Sequence, residues 1–90
     1  MKEKDFSKLL YSAVMTLKTE EECQHLFEDL CTPKEIKSIA QRFAVAKMLS
    51  EGRIYNDIVK ETGASTATIS RVNRTMSKGS RTVLERMKNV

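Results

Sequence analysis

"KETGASTATISRVNR", Lys60 to Arg74, is the stretch that decides how this chain folds. Gly63 can stop the helix before it, because a residue without Cβ enters the left-handed region at no steric cost. Ala64 is the small apolar residue of the turn, and Ser65 offers the hydroxyl of an N-cap. Ile69, Val72 and Met76 recur at i, i+3 and i+7 as the buried stripe of a following helix. Upstream, Ile58 and Val59 lie on a short helix of about two turns. A short helix, a turn containing glycine and a second helix make up a helix-turn-helix, here over about residues 55–76.

The second helix leaves a distinctive face outward. Thr66, Ser70 and Arg74 share one side at i, i+4 and i+8, with Ala67 and Arg71 beside them and Asn73 also unburied. That face is small near its start and basic near its end, which suits the DNA major groove. Small first residues let the backbone approach base edges. Thr66 and Ser70 can donate or accept, Ala67 can meet a thymine methyl, and Arg71 and Arg74 can reach guanine or phosphate. The assignment is therefore Ser65 to Ser70 at the bases and Arg71, Asn73 and Arg74 at base or backbone, with Lys60, Lys78 and Arg81 flanking as phosphate contacts. A single Ser or Thr early in a helix is more often a cap or a solvated hydroxyl, so the reading rests on the whole arrangement with its basic bias.

Charge supports the set. From Met1 to Glu51 there are eight Lys or Arg against nine acids, a net −1; from Gly52 to Val90 there are eight against three, a net +5. A chain whose basic charge gathers at one end is suited to a polyanion.

Composition excludes several other classes. Ninety residues make one small domain, 1–90, and leave little room for a buried catalytic pocket. His25 is the single histidine and stands among Glu22, Glu28 and Asp29 on an acidic helix face, so no catalytic set, phosphate loop or metal-ligand cluster is expected, nor any cofactor. Cys23 and Cys31 have neither zinc-site spacing nor the density of a secreted scaffold. No apolar run reaches the ~18 residues of a membrane span, and "MKEKDFSKLL" is no signal peptide. A cytoplasmic protein is the expectation.

The rest of the chain reads as helices. Phe6, Leu9, Leu10, Ala13, Val14 and Leu17 form one apolar stripe. Thr19 and Glu22 then read as a capping box ahead of Cys23, Leu26, Phe27, Leu30 and Cys31, and Thr32 and Glu35 as a second box with Pro33 in the first turn. The third helix, Pro33 to about Ser50, is apolar nearly all round at "FAVAKML", which calls for cover on more than one side and suggests a second copy of the chain. Gly52 ends it. The fold expected is all-α, with about six helices.

These residues together resemble the Trp repressor-like superfamily, and within it the small YerC/YecD family of Trp repressor-related proteins of Gram-positive bacteria. The resemblance runs from about Leu30 through Met76, and the helix order extends it over nearly the whole chain. It is carried by "TPKEIKSIAQRFAVAKMLSEG" and by "ETGASTATISR". The second motif alone occurs in many helix-turn-helix families; both in order, at nearly matching spacing, are much more specific. The resemblance implies an intertwined homodimer whose two heads enter successive major grooves of double-stranded DNA, with Thr66, Ala67 and Ser70 at the base-contacting positions.

It also implies an effector pocket, with departures. In the repressor two arginines sandwich the indole of tryptophan, a threonine lies nearby, and a glycine follows the second arginine. Arg42, Arg71 and Thr32 match the first three, and Thr68 matches another pocket threonine; Val72 stands where the glycine belongs and would fill ring space. The leading reading is that both arginines are structural or bind phosphate with no ligand between them; the alternative is a small-molecule corepressor, smaller than or different from tryptophan. Gly52 and Gly63 are one residue closer together than in the repressor, and Asn56 and Val59 replace basic residues of its first reading-head helix. A function of another class, a helical adaptor docking a protein partner, would draw on Met15, Met48, Met76 and Met87 as an adaptable surface.

Overall fold

A computed structural model describes residues 1–88. It contains α1 (Glu3–Val14), α2 (Glu20–Leu30), α3 (Pro33–Ser50), α4 (Tyr55–Thr62), α5 (Thr66–Thr75) and α6 (Lys78–Lys88), with no strand among the described residues. The all-α expectation of about six helices holds. By backbone contacts the chain divides into two compact units, Met1–Ile36 and Lys37–Val90.

In the first unit, the helix starts are written in short polar side chains. The Thr19 hydroxyl accepts the Glu22 N–H at 3.1 Å, as a cap should. Glu22 does not close the box on Thr19, however; its carboxylate accepts from the Lys18 N–H at 2.9 Å, one residue earlier. The second box is complete. Thr32 Oγ1 accepts from the Glu35 N–H at 3.1 Å, and Glu35 Oε1 accepts from the Thr32 N–H at 2.8 Å. Those two bonds, the backbone donor first, hold the Glu35 carboxyl below its ordinary range.

The apolar stripe of α1 was expected to continue to Leu17, but the helix stops a turn sooner. The Thr16 hydroxyl donates to the Ala13 carbonyl at 2.7 Å and the backbone tightens to i→i−3 bonds at Thr16 and Leu17. Neither α1 nor α2 holds a buried residue. Phe6, Leu9, Leu10 and Tyr11 are exposed, Tyr11 by 67%. Leu30 and Cys31, expected on the α2 stripe, are respectively exposed and the C-cap residue.

The second unit holds the core. Val45, Ile58 and Ile69 are fully buried, and Ala46, Ala64, Val72 and Leu84 complete the cluster, with Phe43, Met48, Leu49, Tyr55, Val59 and Met76 packed around it. Each fully buried Val or Ile contributes about 1.5–3 kcal/mol of transfer free energy. The α3 terminus is a Schellman motif: with Gly52 at φ 77°, its N–H bonds the Leu49 carbonyl and the Arg53 N–H bonds the Met48 carbonyl. Gly63, at φ 73°, ends α4 in the left-handed conformation, its N–H on the Val59 carbonyl. The helix-turn-helix runs over α4 and α5, with Met76 as C-cap and half-buried rather than inside the helix.

Candidate nucleic-acid interface

Ser65 opens the second helix of the pair. Its Oγ accepts from the Thr68 N–H at 3.1 Å and donates to Thr68 Oγ1 at 3.1 Å, so both hydroxyls are engaged in starting α5. The helix is then anchored by Ile69 and Val72, and about 100° per residue fixes what remains outward. Thr66, Ala67, Arg71, Asn73 and Arg74 are exposed, and Ser70 is half-buried. Lys60 and Lys78 are exposed on α4 and α6.

The charge on this face is unopposed. Lys60, Arg71, Arg74 and Lys78 enter no ion pair among the described residues. Glu61, the single acid between Lys60 and Arg74, is taken by Arg53, and that hydrogen-bonded contact holds the Arg53 guanidinium still more firmly protonated. The two edges of the face differ. Asn73 lies toward α4, its amide 3.5 Å from Tyr55 Oη, while Arg71 lies toward α3.

There α3 and α5 enclose a cleft of about 520 Å³, which brings together Arg42, Thr68, Arg71 and Val72, four of the five residues expected at an effector pocket. Ser38, Gln41 and Thr75 complete its lining, and none of the seven is acidic. Arg42 Nη1 donates to Ser38 Oγ at 3.1 Å. Thr75 Oγ1 donates to the Arg71 carbonyl at 2.9 Å. Val72 is only 7% exposed, a core residue that also forms part of the cleft floor. Thr32, the fifth, is occupied as the cap of α3.

Two residues that the sequence did not single out act on the turn itself. Thr62 Oγ1 donates to the Ile58 carbonyl at 2.7 Å and accepts from the Ala64 N–H at 3.1 Å. Gln41 Nε2 donates to the Thr62 carbonyl at 3.1 Å across 21 residues of sequence. Threonine before a helix-ending glycine was a weak signal for the first; nothing in the pattern marked the second.

Comparison with known proteins agrees with this geometry. The Trp repressor protein family model matches residues 6–89. YerC of Bacillus subtilis (strain 168), itself uncharacterised, is 56% identical over 70 residues, 78% of this chain and 67% of its own. A crystal structure of a proposed Trp repressor from Staphylococcus aureus superposes with a TM-score of 0.89 at 45% identity, over 93% of this chain and 87% of that one. A TrpR-like protein from Eubacterium eligens gives 0.86 at 51% identity, over 90% and 87%. The chain belongs to the Trp repressor family of DNA-binding regulators, in its YerC-like branch.

Proposed function

We propose that this chain is a sequence-specific DNA-binding transcription regulator, a repressor, that acts in the cytoplasm as a homodimer and reads duplex DNA through α5. The observation that carries the proposal is the outward face of α5: small and hydroxyl-bearing at Thr66, Ala67 and Ser70, then basic at Arg71 and Arg74, which enter no ion pair among the described residues. Selection of bound fragments from random duplexes tests it. The expected product is a palindrome with half-sites about one helical turn apart, bound with an affinity that falls steeply with salt. Absence of binding at low salt overturns the reading.

The homodimer rests on the apolar surface left uncovered. Phe6, Leu9, Leu10 and Tyr11 are exposed together on α1, an apolar run along one helix that a second copy of the chain would cover. Sedimentation equilibrium decides: a stable 10.3 kDa monomer at micromolar concentration refutes it. An adaptor is the second reading: Met15 and Met87 are each exposed, although Met48 and Met76 pack on the core. Capture of one protein partner after nuclease treatment, with no duplex binding, favours that second reading.

For the effector, Val72 in the cleft floor disfavours tryptophan. Calorimetric titration with tryptophan and other amino acids, repeated on Val72→Gly, tests this. Heat with tryptophan in the variant alone assigns the block to that side chain; heat in neither protein leaves the two arginines to other ends.

A further inference from the structure

Three hydrogen bonds converge on Thr62, and they differ in kind. The two made by its hydroxyl are local, tying Ile58 and Ala64 together and so setting the shape of the turn between α4 and α5. The third comes from outside. Thr62 closes α4, so its carbonyl is one of the terminal acceptors that a helix cannot satisfy internally. Gln41 of α3 supplies the donor, at 3.1 Å and in a half-buried setting. Among the described residues this is the one side-chain hydrogen bond that joins α3 to the helix-turn-helix. The rest of that junction is apolar packing of Val45 and Ala46 in a cluster with Ile58, Ile69 and Val72, which is non-directional and fixes burial more tightly than angle.

We propose that Gln41 is the positioning residue for the reading head: its amide clasps the Thr62 carbonyl and thereby sets where α5 begins relative to α3. Ser65, the cap of α5, stands three residues beyond the clasped carbonyl, with the left-handed Gly63 between them. A displacement at Thr62 is therefore passed directly to Thr66, Ala67 and Ser70. Base contacts are sensitive to such a shift and phosphate contacts much less so, because only the former depend on a fixed register of donor and acceptor. Gln41 touches no DNA in this scheme; it acts through the turn. The inference rests on the DNA-reading function proposed above.

The test compares wild type with Gln41→Met, which keeps side-chain length and volume but removes the donor, and with Gln41→Glu, whose carboxylate opposes the carbonyl. Amide hydrogen exchange by NMR on the full chain without DNA reports the clasp. Exchange at Gly63 and Ala64 is expected to rise about fivefold in Gln41→Met, the effect of one net hydrogen bond. In Gln41→Glu it is expected to rise at neutral pH and to recover as the new carboxyl protonates and can itself donate, a reversal that simple loss of packing would not produce. On the duplex obtained by selection, affinity falls about tenfold in Gln41→Met, while low-salt affinity for a random duplex stays within about twofold. Unchanged exchange at both amides overturns the clasp. Faster exchange with an unchanged ratio of specific to random binding overturns the positioning role and leaves DNA reading intact. A wild-type protein that binds no duplex overturns DNA reading and with it the purpose assigned to Gln41, and the exchange data still report separately on the contact.

Discussion

Two threonines four residues apart carry opposite duties, and replacing each by valine separates them. Thr62→Val keeps the shape and the β-branch, so helix propensity is nearly unchanged. What it removes is the acceptor of the Ala64 N–H and the donor to the Ile58 carbonyl. Ala64 is 2% exposed, so its amide finds little water to replace the hydroxyl. An unsatisfied buried donor costs about 1–3 kcal/mol, and a loss of about 2 kcal/mol is the central expectation. In a domain of this size that lowers Tm by about 10 °C. Thr66 is exposed, its hydroxyl makes no hydrogen bond among the described residues, and Thr66→Val should leave stability within about 0.5 kcal/mol. Under the DNA-reading function proposed above, its effect is expected on DNA, where losing one base contact weakens binding to the selected site by about 1–3 kcal/mol. Urea titration and thermal melts, all at one protein concentration because association shifts midpoints, give the stability; fluorescence anisotropy gives the affinity. A Thr62→Val protein within 0.5 kcal/mol of wild type refutes the role of the hydroxyl in the turn. Equal destabilisation by the two substitutions refutes the outward placement of Thr66.

Arg74→Ala should reduce the slope of log affinity against log salt by about one if the guanidinium meets a phosphate, read from binding isotherms over a salt series. The glycines divide by backbone: Gly63→Ala, at φ 73°, should destabilise by about 1 kcal/mol, whereas Gly79→Ala in the first turn of α6, with no atom within 4 Å of the added Cβ, should stabilise by about 0.5 kcal/mol. Denaturation midpoints of the two variants test the contrast. The Glu35 carboxyl is held below its ordinary 4.5 in the folded chain, so its contribution is complete above that pH and is lost as pH falls through the lower folded value. The stability difference between wild type and Glu35→Gln should therefore shrink only below about pH 4.5, in a series of urea midpoints.

The helix-turn-helix was legible because its signals are local. Gly63, the Ser65 cap and the Ile69–Val72 spacing each act within a turn or two of themselves, and a left-handed glycine has few alternatives. The Thr32–Glu35 box was legible for the same reason. The Thr19 box was misread by one residue, because a long Glu22 side chain reaches either of two neighbouring N–H groups and spacing cannot choose. The end of α1 was misread because periodicity ignores Thr16, whose hydroxyl competes for a helical carbonyl. Gln41 and Thr62 were not legible as a pair: their bond spans 21 residues and exists only once α3 and α4 have packed. In the cleft, likeness to the family brought Arg42 and Arg71 to one place, but the deep burial of Val72 emerged only from the fold.

That burial bears on how such a cleft can change over evolutionary time. Val72 belongs at once to the core and to the cleft floor, so opening the cleft by Val72→Gly removes a buried side chain and loosens a helix, together about 2–3 kcal/mol. Natural domains stand only 5–15 kcal/mol above unfolding, commonly nearer the lower figure for small ones. Opening the cleft at this position thus gives up a large share of that margin, and stabilising changes elsewhere widen what the fold can tolerate. Residue 72 couples the shape of the cleft to the stability of the core, so neither can change without the other.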